Sequence, residues 1–116
     1  MKYDLEERTV LFSEHLIDFY KKCPKNIMTN PLIDQGIRSG TSIGANYCEA
    51  NGASSKKDFK NKIFLCKKEG KETMYWLRLI GKTLDDENLR NECRSLWKET
   101  KEITLIFSKI AANTKS

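Results

Sequence analysis

The sequence predicts an all-α protein, an antiparallel up-down-up-down four-helix bundle, and three observations lead there. Apolar residues recur at spacings of three, four and seven in four separate stretches, the period of an amphipathic helix. The segments between those stretches are short and polar, and short connections set successive helices antiparallel. No alternating β-branched run competes with the helical pattern. At 116 residues the chain has the size of one domain, read as residues 1–116. Its 39% apolar and 32% charged residues suit thin helices, each with a narrow buried stripe and a wide solvated face.

The first helix is expected from about Asp4 to Cys23, where Leu5, Phe12, Leu16, Phe19 and Tyr20 share a stripe and Pro24 closes the run. After the loop KNIMTN, Asn30 can cap and Pro31 can take the first helical position, so the second helix is expected from Pro31 to about Ala50. Asn51-Gly52 is a good pair for a left-handed C-terminal cap. Ser55, with Asp58 three residues on, marks the third start. That helix should carry Phe59, Ile63, Cys66, Gly70, Met74, Leu77 and Ile80 inward and end near Leu84. Asp85-Asp86-Glu87-Asn88 supplies a turn and the negative charge favoured at a helix N-terminus. The fourth helix is expected from about Asp86 to Ala112, with Leu89, Cys93, Leu96, Thr100, Ile103, Phe107 and Ile110 on one side.

Several function classes are excluded as expectations. No apolar stretch approaches the roughly 18 residues of a membrane span, so a soluble, cytoplasmic protein with no membrane partner is expected. Cys23, Cys48, Cys66 and Cys93 stand singly with no CxxC pair, which reads as reduced, buried thiols and neither a disulfide framework nor a metal site. His15 is the one histidine, without a second imidazole or a Glu-x-x-His ligand set, so neither catalysis nor a cofactor is expected. Glu69 and Glu72 share a helix face. They are expected to pair with Arg38 or Lys62 in a polar layer inside or beside the bundle, joined from the second helix by Asn46 and Glu49.

The second helix carries glycines at 36, 40 and 44, which together forfeit roughly 2 to 3 kcal/mol of helix propensity against alanine. Residues four apart form one ridge, and Ser39, Thr41, Ser42 and Ala45 keep its surroundings small. Such a flat ridge admits another helix closely, either within the bundle or between subunits.

Charge is uneven. Between Lys56 and Lys82 nine basic residues face three acids, whereas the whole chain nets only +5. The candidate nucleic-acid-binding residues are therefore Lys56, Lys57, Lys60, Lys67, Lys68, Lys71, Arg78 and Lys82. They do not all share one face, so only a subset meets a single phosphate backbone, and lysine in place of arginine favours loose phosphate attraction over base reading. Trp76, Trp97, Tyr75 and Tyr47 are either stacking platforms or helix-packing residues. Trp76, one position from the Leu77 stripe, is expected at its edge, against a neighbouring subunit.

The run RSGTSIGANYCEA and the following SSKKDFKNKIFLCKKEGKETMYWLRLI resemble the four-helix-bundle family named for 23S rRNA intervening sequences. The resemblance covers nearly the whole chain. It is strongest between Ile37 and Ile80, through Asp58-Phe59, Lys62, Glu69, Glu72 and Tyr75-Trp76-Leu77. That family includes proteins encoded within insertions in ribosomal RNA genes, and it is similar to the accessory variability proteins of diversity-generating retroelements, which partner a reverse transcriptase. The resemblance implies a small non-enzymatic bundle, often a homopentamer around a central channel, with basic surface used for RNA or DNA. Cys48 and Gly70 depart from the family pattern, which has a basic or polar residue and an alanine there. The expected function is non-catalytic binding of nucleic acid. The alternative is an oligomeric adapter for a reverse transcriptase or another enzyme.

Overall fold

The protein is described here by a computed structural model covering residues 4–114. It consists of α1 (Leu5–Lys22), α2 (Thr29–Asn51), α3 (Lys56–Thr83) and α4 (Glu87–Asn113). Each helix packs on its neighbours in the chain and α1 closes the ring against α4, which gives the antiparallel up-down-up-down bundle. The α2–α3 and α3–α4 seams are the most extensive, and α1 is the shortest helix.

Three helices begin as their sequences direct. Asp4 accepts from the Glu7 N–H at 3.1 Å, Ser55 from Asp58 at 3.0 Å and Asp86 from Leu89 at 2.8 Å, each satisfying an amide that a helix start leaves open. α2 differs: it begins at Thr29, and Asn30 lies inside it. Asn26 does the capping, its Oδ1 accepting from Met28 and Thr29 at 2.9 and 3.0 Å and its carbonyl from Asn30 at 2.9 Å. Thr29 secures the turn by donating to the Pro24 carbonyl at 2.6 Å. Pro31 thus sits in the first turn, where its missing N–H leaves no gap. The end of α2 also corrects the expectation, because Gly52 has φ −101° and no described residue has positive φ. Two tight i to i−3 bonds, Gly52 to Glu49 and Ala53 to Ala50 at 3.1 Å each, close the helix instead.

The core is centred on Leu16, Phe19, Ile43, Ile63, Cys66, Leu77, Ile80, Ile103 and Phe107, all without solvent exposure. On α3 the buried position is Thr73, and Met74 stands at the stripe's edge. Thr73 satisfies its hydroxyl on the Glu69 carbonyl at 2.7 Å and lies 3.0 Å from the Ser39 hydroxyl. Cys23, Cys66 and Cys93 are buried free thiols, while Cys48 is exposed, contrary to its reading as a core residue. Among the described residues no helix is long and apolar enough to cross a membrane.

The glycine ridge of α2 faces α1. A methyl on Gly36 would overlap the Tyr20 hydroxyl, one on Gly40 would overlap Leu16 Cδ2, and one on Gly44 would come within 3.0 Å of Thr9 Oγ1. Gly70 plays the same part on the α3–α4 seam, where a methyl would overlap the Thr104 hydroxyl.

Candidate nucleic-acid interface

α3 has 28 residues and a length of about 42 Å. At 3.6 residues per turn, Lys56, Lys57, Lys60, Lys67, Lys68, Lys71, Arg78 and Lys82 fall within a sector of about 120°, opposite and beside the buried stripe. This is a tighter grouping than the sequence reading allowed. Two exposed aromatic residues stand on the same face: Phe64, 47% exposed and flanked by Lys67, Lys68 and Lys71, and Tyr75, 55% exposed. They are about 16 Å apart along the axis.

Glu69 and Glu72 of α3 point elsewhere. Arg38 of α2 pairs with Glu69 at 3.2 Å and with Glu72, and Gln35 accepts from its Nε at 3.0 Å. Glu72 also accepts from Trp76 Nε1 at 2.9 Å, and the half-buried indole lies edge-on to Tyr75, centroids 5.0 Å apart. Lys62 bonds Glu49 at 2.7 Å, which raises the ammonium's pKa by hydrogen bonding and charge. The predicted polar layer is thus two separate groups on the α2–α3 seam. Asn46 belongs to neither; it donates to the Ser42 carbonyl one turn back. Arg38 is 47% exposed, so this is a surface cluster and not a buried one.

Glu92, Glu99 and Glu102 of α4 are turned the other way, toward α1. Glu99 and Glu102 hold Arg8, at 2.6 and 3.1 Å, and Glu92 holds Lys22 at 2.6 Å. His15 stands exposed beside the α1–α4 groove of about 550 Å³, among these paired charges. No three potential metal ligands gather among the described residues. On the opposite edge of α4, at steps of four, three and four, lie Arg90, Arg94, Trp97 and Lys101, with Lys101 Nζ 5.6 Å from the Trp97 centroid. Arg78 of α3 lines the same groove as Arg90, Arg94 and Trp97 across the seam. The ion pairs among the described residues therefore lie on the α2–α3 and α1–α4 seams. Among the described residues, the cations on the outer face of α3 and on the α3–α4 seam make no ion pair.

The family model described as 23S rRNA-intervening sequence protein matches residues 1–109. The chain belongs to that family. A crystal structure from Bacteroides thetaiotaomicron, described as a protein of unknown function from the S23 ribosomal protein family, is 31% identical and superposes with a TM-score of 0.80, over 93% of this chain and 98% of that one. Among curated proteins no similar chain was found. In this member of the 23S rRNA-intervening sequence family, sequence reasoning missed Phe64, Arg90, Arg94 and Lys101. The α4 residues escaped because charge was summed along the chain, where neighbouring acids cancel them; projecting α4 on a helical period sets Arg90, Arg94 and Lys101 apart from Glu92, Glu99 and Glu102.

Proposed function

We propose that this chain is a non-catalytic nucleic-acid-binding bundle whose contact surface is the outer face of α3, continued over the α3–α4 seam. The observation that carries the reading is the sorting of charge: the ion-paired carboxylates occupy the other two polar seams, and among the described residues the cations here have no ion-pair partner to compete with phosphate. Phe64 and Tyr75 add exposed rings between the lysines, the combination that single strands use for backbone attraction and base stacking. A homo-oligomer, pentameric by family resemblance, would repeat the surface on each subunit.

The test is fluorescence anisotropy of a labelled structured RNA and a labelled duplex DNA, titrated at several salt concentrations. Expected is binding that weakens steeply with salt and falls by roughly tenfold or more in the Lys67→Glu, Lys68→Glu, Lys71→Glu triple variant. No binding at low salt would refute it. The adapter reading has its own support in Val10, Leu11 and Ile17, apolar side chains 38 to 46% exposed on α1. An adapter would keep its protein partner through the lysine reversals.

A further inference from the structure

Near the turn between α3 and α4, a groove of about 350 Å³ is lined by Arg78, Gly81, Arg90, Cys93, Arg94 and Trp97. No carboxylate lines it. Arg94 donates to Asn91 at 2.8 Å through one nitrogen, and neither Arg78 nor Arg90 has an ion-pair partner among the described residues. Three guanidinium groups at one concavity repel each other until an anion joins them, and their planar forks match phosphate oxygens.

The floor is bare of bulky side chains. Gly81 contributes no side chain, and a methyl there would sit 3.5 Å from Cys93 Sγ, an ordinary contact, so the open space is made by the glycine and not forced by a clash. The Cys93 thiol is turned inward, donating to the Leu77 carbonyl at 3.2 Å, and burial pushes it up to about 11, so the floor stays neutral. Trp97, half-buried and packed on the core, is the aromatic wall. The volume is at the small end of ligand sites, enough for one nucleotide and too little for a length of duplex.

We propose that this groove captures a single unpaired nucleotide of the bound strand, its base against Trp97 and its phosphate among Arg78, Arg90 and Arg94. The inference rests on the nucleic-acid reading above and narrows it to loops, bulges and strand ends, because a base in continuous duplex must first leave its stack.

The experiment compares a short unpaired oligoribonucleotide with the duplex of the same length, on wild type, Gly81→Leu and the Arg90→Gln, Arg94→Gln pair, with helicity and melting checked by circular dichroism. The wild type should prefer the unpaired strand by roughly tenfold or more. Gly81→Leu, which fills the groove without changing charge, should remove that preference and leave duplex binding as it was. If Gly81→Leu does not fold, the exposed arginine pair decides. Equal binding of both strands by wild type, or a preference surviving in the variants, overturns the groove proposal while nucleic-acid binding stands. Absence of all binding overturns both. In a Trp76→Phe background, a nucleoside 5′-monophosphate should quench Trp97 fluorescence and compete for the strand at least roughly tenfold better than inorganic phosphate. Equal competition would mean a bare anion site and also overturn the proposal.

Discussion

At the scale of the residue, the tightest fits are between glycines and the side chains opposite them. Gly40→Ala gains about 1 kcal/mol of helix propensity but drives a methyl into Leu16, which is fully buried and has nowhere simple to go. The substitution should lower the urea midpoint in the native background and raise it, or leave it unchanged, in a Leu16→Ala background where the obstacle is gone. Tyr20 presents its hydroxyl to Gly36 without a protein hydrogen-bond partner. Tyr20→Phe should therefore be neutral or stabilising by about 1 kcal/mol, since it removes a buried polar group and no bond. The thiols make a third case. Burial raises Cys66 to about 12 and Cys23 and Cys93 to about 11, against 9.0 for a free thiol. Unfolded chains lose these protons first, so the thiols' contribution is complete below pH 9 and is lost as pH rises toward 11 and 12. Melting temperature should fall over that window, and a Cys23→Ala, Cys66→Ala, Cys93→Ala variant should show a flatter decline. In native protein at neutral pH, Cys48 alone should react rapidly with a thiol reagent. That Cys48 is exposed was hidden in the sequence, because it lies only one position off the boundary of the apolar stripe.

At the scale of the element, most of what was legible came from caps and periods. Ser55 caps as read, and within the acidic turn read before α4 it is Asp86 that caps, since each bonds within its own next three residues. The start of α2 was not legible, because Asn26, Thr29 and Pro24 act together and only the folded turn brings Thr29 to the Pro24 carbonyl. The three-glycine ridge could be seen in the sequence, while its partner could not: spacing gives a flat surface but not which helix lies on it. The polar residues of α2 and α3, expected as one layer inside or beside the bundle, form two surface groups that leave Asn46 out, and that changes a magnitude. Arg38→Met should lower stability by only about 1 kcal/mol in a urea melt, because the cluster is half-exposed and screened. A loss several times larger would mean that Glu69, the least exposed member, depends on Arg38 far more than its surface setting implies.

At the scale of the whole molecule, the fold acts as a sorter of charge. Glu49, Glu69, Glu72, Glu92, Glu99 and Glu102 are each turned toward the α2–α3 or α1–α4 seam and paired with a cation there. The net charge of +5 therefore understates the local field over α3 and α4. The sequence showed the α3 half of this surface, as nine basic residues in one segment. The α4 half became visible only when the antiparallel pairing set Arg90 and Arg94 beside Arg78. Reversing Arg90 and Arg94 to glutamate should lower RNA affinity and the slope of its salt dependence, without a comparable loss of melting temperature, since neither residue is in an internal ion pair.

The Arg8 clasp joins residues 91 positions apart, whereas α2, α3 and α4 are linked as successive hairpins. During synthesis those hairpins can close one after another as the chain emerges, but α1, made first, waits for α4 as far as Glu102 before its polar seam is complete, Lys22 for Glu92 and Arg8 for Glu99 and Glu102. Until then Leu16 and Phe19 have lining on one flank only, and a ribosome stalled within α4 would hold an N-terminal helix that proteases can still reach.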